Sequence, residues 1–222
     1  LPEPQIINLD VEEALFTSSG EYDVPKKIFD EPGVQAFLSH TQNFMGREGV
    51  LVLNLKSPIP SQSSENLTYA FISNSVFRKK HRLIFQRAFQ RNGISIFSNY
   101  DDNGNTAFAL VGRTSAQKKY ATDLLNKFVN FQYTERDLKD AVKALRDSFD
   151  SISEQGISAQ LSYYAATTTK QGPFFYSKKE ISNALDKATV AGLNKFHNDY
   201  INSVYADIFS HGIETPEKII TN

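Results

Sequence analysis

The chain has 222 residues, 40% of them hydrophobic, with 17 Phe and 10 Tyr but no Trp and no Cys. That is enough to bury an aromatic-rich core as one large domain or two small ones, and it excludes a thiolate nucleophile or a Cys-based zinc site. With 24 basic and 25 acidic residues the formal charge is −1, so no global field recruits nucleic acid or an anionic membrane.

No apolar run approaches the ~20 residues needed to cross a bilayer, and the first residues show no charged-then-apolar leader. The absence of Cys fits any redox compartment. The chain starts at Leu1 and its sole Met is Met45, so a fragment of a longer protein is expected. The four histidines stand at 40, 81, 197 and 211; the closest two, His197 and His211, are 14 residues apart, too far for a ligand pair on one helical face.

Residues 1–23 mix Pro, Asp, Glu, Ser and Gly without pattern and read as a linker or irregular arm. Lys26–Asp30 and Val34–His40 form two short extended segments around the turn signal Glu31-Pro32-Gly33. Val50 to Leu55 is aliphatic and β-branched, and Ser57-Pro58-Ile59-Pro60 closes it, which predicts a buried strand.

A long helical region follows, capped by Ser63 or Ser64, with Glu65 in its first turn and Leu67, Phe71, Ser75 and Val76 on one face. The run Arg78-Lys79-Lys80-His81-Arg82 marks an expected joint, beyond which Leu83–Arg91 is helical again until Asn92-Gly93. Ile94–Ser98 alternates as a strand, Asp101–Asn105 is a turn, and Thr106–Val111 is the partner strand.

Tyr120, Leu124, Leu125, Phe128 and Phe131 recur at helical spacing after a Ser115 cap candidate. Thr134 caps the next helix, whose stripe is Leu138, Ala141, Val142, Leu145, Phe149 and Ile152. Gln160–Thr168 suggests another helix. Ser177 and Ser182 or Thr189 are cap candidates for short helices, the last carrying Leu193, Phe196 and Tyr200. Val204–Ser210 is a strand, His211-Gly212 turns it, and Pro216-Glu217-Lys218 has the look of a first helical turn. This order specifies an α+β domain, a mainly antiparallel sheet with helices packed on one face.

Single motifs with chemical potential read first as structure. Arg78 to Arg82, with Arg87 and Arg91, is a phosphate or nucleic-acid patch only against a near-neutral background, so a solvated helix face is expected. Asp101-Asp102-Asn103-Gly104-Asn105 lacks the Glu that closes a calcium loop and reads as a turn. Asn66-Leu67-Thr68 matches a glycosylation acceptor but falls inside a helix. His197, beside Phe196 and Tyr200, and His211, before a glycine, read as packed residues rather than ligands. Tyr163-Tyr164 and Phe174-Phe175-Tyr176 read as packing aromatics.

Several stretches in order carry a resemblance: Tyr22-Asp23-Val24-Pro25 with Ile28-Phe29-Asp30; Leu51-Val52-Leu53-Asn54-Leu55 before Ser57-Pro58; Arg91-Asn92-Gly93-Ile94; and Phe108-Ala109-Leu110-Val111-Gly112 before a helix around Ala121–Phe128. Leu193–Tyr200 leading to His211-Gly212-Ile213-Glu214-Thr215 completes them, with Ile213 where the family usually has Asn. From about Tyr22 to Glu217 the chain resembles a non-catalytic domain of the insulinase/pitrilysin family of zinc metallopeptidases, the inverzincins, most like the third domain of a four-domain, single-chain member.

The family's catalytic domain carries an inverted His-x-x-Glu-His motif on its first long helix. Here the corresponding stretch, Leu67 to Asn74, has no His and no Glu, and Ala141 to Arg146 on the later helix has no Glu. No catalytic, metal or cofactor residue is therefore assigned. The resemblance implies a domain spanning 24–213, with 214–222 beginning a connection onward, that helps wall a peptide-enclosing chamber. It also implies zinc in the catalytic domain of the parent, with the other parent domains and enclosed peptides as partners, and neither nucleic acid nor membrane. A scaffold subunit of the same fold without peptidase activity is the alternative. A periplasmic location follows from bacterial relatives; the composition fits a cytoplasmic one equally.

Overall fold

A computed structural model describes residues 24–40, 48–101, 103–153 and 176–212. The first hairpin pairs β1 (Lys26–Glu31) with β2 (Val34–His40). Pro32 and Gly33 form its turn, and Gly33 sits at φ 88°, the left-handed conformation that Pro-Gly in this order supplies.

β3 (Glu48–Lys56) is the longest strand and a central one. A 3-10 turn over Pro60–Gln62 leads into α1 (Ser64–Asn92), whose cap is Ser63: its hydroxyl accepts from the Asn66 N–H at 3.1 Å. The helix ends at Gly93 in the left-handed region (φ 65°), where the Gly93 and Ile94 N–H groups fold back onto Phe89 and Ala88 carbonyls.

The joint expected at Arg78–Arg82 does not exist: α1 runs unbroken for 29 residues, about 43 Å at the helical rise. Nothing in the run is a helix breaker, since Arg and Lys are good helix formers. Lys79 and Lys80 are drawn sideways to Asp140 (2.8 Å) and Asp137 (2.5 Å) on the neighbouring helix α3 (Glu135–Ser153).

β4 (Ser95–Tyr100) and β5 (Thr106–Arg113) make the second hairpin, and α2 (Thr114–Val129) starts directly after β5. Ser115 is accordingly not its cap: it lies in the first turn, and the flanking residue Arg113 makes no side-chain cap bond. The Gln117 amide ties this junction instead, donating to the Gly49 and Gly112 carbonyls at 2.7 and 3.0 Å.

Thr134 does cap α3. Its hydroxyl and N–H both donate to the Asp137 carboxylate, while the Asp137 N–H returns to the Thr134 hydroxyl. Ser177 opens α4 (Lys178–Lys187) with a full capping box to Glu180, and Thr189 opens α5 (Val190–Asn202). Ser182 lies within α4 and caps nothing. β6 (Tyr205–Gly212) closes the fold. The expected helix at Gln160–Thr168 and helical turn at Pro216–Lys218 lie outside the described residues.

The sheet order is β1-β2-β6-β3-β5-β4, with β2–β6 its one parallel pair and every other pairing antiparallel. The architecture is α+β, as the element order indicates. Alternate strand positions (Leu53, Leu55, Ile96, Phe108, Leu110) enter the core together with Ile72, Val76 and Phe77 of α1. At its centre Phe77, Phe108 and Phe128 are almost fully buried and form a triangle with centroids 5.2–5.6 Å apart. Two of the three pairs meet close to edge-on, the arrangement the ring quadrupoles favour.

Candidate functional site

The N-terminal half of α1 commits its polar side chains to holding the fold together. Tyr69, Ser73 and Asn74 are all buried. The Tyr69 hydroxyl accepts from the Thr189 N–H at 3.3 Å, pinning the start of α5. Asn74 donates to the Ala70 carbonyl and accepts from the Thr106 hydroxyl. Tyr200 adds to this set by donating to the Leu55 carbonyl at 2.5 Å and accepting from the Thr106 N–H; burial pushes its phenol up to about 12.

Ser73, Tyr133 and His197 form a linear chain. The Ser73 and Tyr133 oxygens are 2.5 Å apart, Tyr133 lies 3.2 Å from His197 Nδ1, and His197 Nε2 is 2.8 Å from the Phe128 carbonyl. A carbonyl only accepts, so Nε2 carries the proton and Nδ1 accepts from Tyr133, whose oxygen in turn accepts from Ser73. Burial holds the His197 imidazole below its ordinary value and pushes the Tyr133 phenol up strongly, so both are neutral at physiological pH. Every polar atom of the chain has its partner, an arrangement that ties α1 to the α2–α3 link and to α5.

The remaining histidines are dispersed. His81 donates from Nδ1 to the Phe77 carbonyl one turn back and stacks on the Phe77 ring at 4.3 Å. His211 lies on β6, 3.0 Å from the Ser39 hydroxyl and parallel to Phe209. His40 ends β2, and its side chain lies outside the described residues. Among the described residues no three His, Asp or Glu side chains approach closely enough to hold a metal ion.

Asp101 spends its carboxylate within its own turn, accepting from the Asn103 and Asn105 N–H groups and the Asn105 amide. Asn66 is pinned to the Ile59 carbonyl and Thr68 is buried, so the glycosylation triplet is folded into the first turn of α1. Tyr163, Tyr164, Phe174 and Phe175 lie outside the described residues, while the Tyr176 hydroxyl donates to the Ser61 carbonyl.

What the motif search missed is the sheet face turned away from the helices. Strand register aligns Phe37, Phe209, Val52, Ala109 and Phe97 in one row across five strands, with Lys27 of β1 at its end, its ammonium 5.8 Å from the Phe37 ring. The six strands span roughly 24 Å at the usual inter-strand spacing. Beside the row run Ser95, Val111, Val50, His211 and Ser39. On its other flank lies a polar row of Asn99, Ala107, Asn54, Asp207 and Gln35.

No described helix covers this face: Phe97 is 51% exposed and Val111 38%. Asp207 anchors the polar side. Burial alone would raise its carboxyl, but hydrogen bonds from Lys56 and Gln35 outweigh that and hold it low. The sequence signal was present in Val50-Leu51-Val52-Leu53, which does not alternate. A strand apolar on both sides predicts cover on both sides.

No protein-family model and no curated protein matches the chain by sequence. Among solved structures, the crystal structure of pitrilysin superposes with a TM-score of 0.80 at 18% identity. The match covers 96% of this chain but only 22% of pitrilysin, so a relative in fold carries further domains. The chain thus has the fold of a pitrilysin segment about one fifth of that protein's length.

Proposed function

We propose that this chain is a non-catalytic domain, spanning 24–213, of a zinc metalloendopeptidase of the insulinase/pitrilysin type, and that it walls the chamber enclosing peptide substrates. In this reading it corresponds to the third of four domains. The observation that carries it is the apolar row of Phe37, Phe209, Val52, Ala109 and Phe97, which no described helix covers and in which Phe97 is exposed and the other four are half-buried. An apolar row that ends in an exposed phenylalanine suits contact with an enclosed peptide. The covering helices take the other side, and the fold match to a part of pitrilysin supports a role inside a larger chain.

The domain supplies shape and an amphipathic surface, and zinc belongs to the catalytic domain of the parent. Chemistry is absent from its role because α1 uses Tyr69, Ser73 and Asn74 to tie the fold together. The purified chain is expected to take up no stoichiometric zinc and to cleave no peptide. Zinc at one equivalent together with chelator-sensitive hydrolysis would contradict the proposal.

A further inference from the structure

The outer, helical side of the domain carries a second surface, independent of the sheet face. Four side chains of α1 (Arg78, Arg82, Phe85 and Phe89) follow one another at spacings of four, three and four residues, and so share one face of the helix. Against the first three lies a cavity of about 430 Å³, bounded also by Tyr100 of β4 and by Ala144 and Leu145 of α3. Phe71 packs on Tyr100 at 5.1 Å and firms that wall. Among the described residues no acidic side chain lines the cavity.

The charges along this helix divide sharply. Lys79 and Lys80 are neutralised by Asp140 and Asp137, and Lys80 also lies over the Phe131 ring. Arg78 and Arg82 are exposed and make no ion pair among the described residues. One turn further on, Phe89 is 62% exposed, and Leu83 beside the stripe is 59% exposed. Two unpaired guanidiniums, then an aromatic-lined hollow, then an exposed phenylalanine make a surface ordered from basic to apolar. Guanidinium forks suit carboxylates, and an apolar end anchors aliphatic side chains.

We propose that the face formed by α1 and α3 docks an amphipathic helical segment of a protein partner. That segment presents two acidic residues one turn apart to Arg78 and Arg82, and aliphatic residues to Phe85, Phe89 and the cavity beside Tyr100. The partner is a polypeptide rather than a phosphate ligand because the apolar half of the stripe extends beyond the cavity and needs an equally long counterpart.

The test uses the 222-residue chain and a labelled 16-residue helical peptide with two Glu one turn apart followed by two Leu at matching spacing, read by fluorescence anisotropy. The expected result is one-to-one binding, at least tenfold weaker when Lys replaces both Glu. The double variant Arg78→Glu, Arg82→Glu, with circular dichroism confirming its fold, is expected to reverse that preference. Phe89→Ser is expected to weaken both variants of the complex, and Lys118→Gln, on α2, to leave binding unchanged. Equal affinity for the two peptides, or an unchanged preference in the charge-reversed variant, overturns the proposal. So does binding of inorganic phosphate at Arg78 and Arg82 that matches the peptide in affinity, because it would assign the site to a small anion.

Discussion

Protonating His197 would place a charge against the Phe128 and Tyr133 rings, at a residue only 1% exposed. Its Nδ1 lone pair, which accepts from Tyr133, would also become a donor and reverse the polarity of the chain running to Ser73. The folded-state pKa is depressed by burial, whereas the unfolded chain titrates near 6.5. The unfolded state therefore binds more protons as pH falls through that value. The contribution of His197 to stability is full above its unfolded value, declines on acidification, and levels off once pH passes below the depressed folded value. His81 is shifted in the same direction, again mainly by burial. Urea unfolding midpoints measured from pH 8 to pH 5 should fall steadily, and His197→Gln should flatten the profile without removing it, because His81 remains. A flat wild-type profile would mean that His197 is hydrated in the native state.

At the scale of elements, termini were legible where a side chain closes its own bond. Thr134 and Ser177 stand at helix starts in both the sequence and the structure, and the structure selects Ser63 over Ser64 and Thr189 over Ser182, because each cap is a local bond between a hydroxyl and a backbone N–H. Ser177→Ala removes the Ser177–Glu180 box and is expected to cost about 1 kcal/mol, a fall of about 2–4 °C in Tm by calorimetry. No change in Tm would show that α4 is held by packing of Ile181, Ala184 and Leu185 alone.

Features set by distant partners were not legible. The Arg78–Arg82 run looked like a break in α1 because its acidic partners, Asp137 and Asp140, lie some 60 residues away in sequence on α3. Ser115 looked like a cap because β5 ending flush against α2 leaves no mark in the residues themselves.

At the scale of the molecule, the six described strands and five described helices assemble with those helices on one side of the sheet and an apolar row on the other. The strand positions were readable from β-branched runs and turn residues. The alignment of Phe37, Phe209, Val52, Ala109 and Phe97 was not, since it depends on β6 inserting between β2 and β3, a long-range pairing no local pattern encodes. That alignment gives the proposed chamber wall its surface.

The most direct test is chemical-shift mapping of the isotope-labelled chain titrated with an unstructured peptide of mixed apolar and polar sequence. The account predicts that the largest changes fall on Phe37, Val52, Phe97, Ala109 and Phe209, and that Val52→Asp with Phe97→Asp abolishes them while the fold is retained. Changes confined to the helical side, or peptide binding unaffected by those two substitutions, would contradict it.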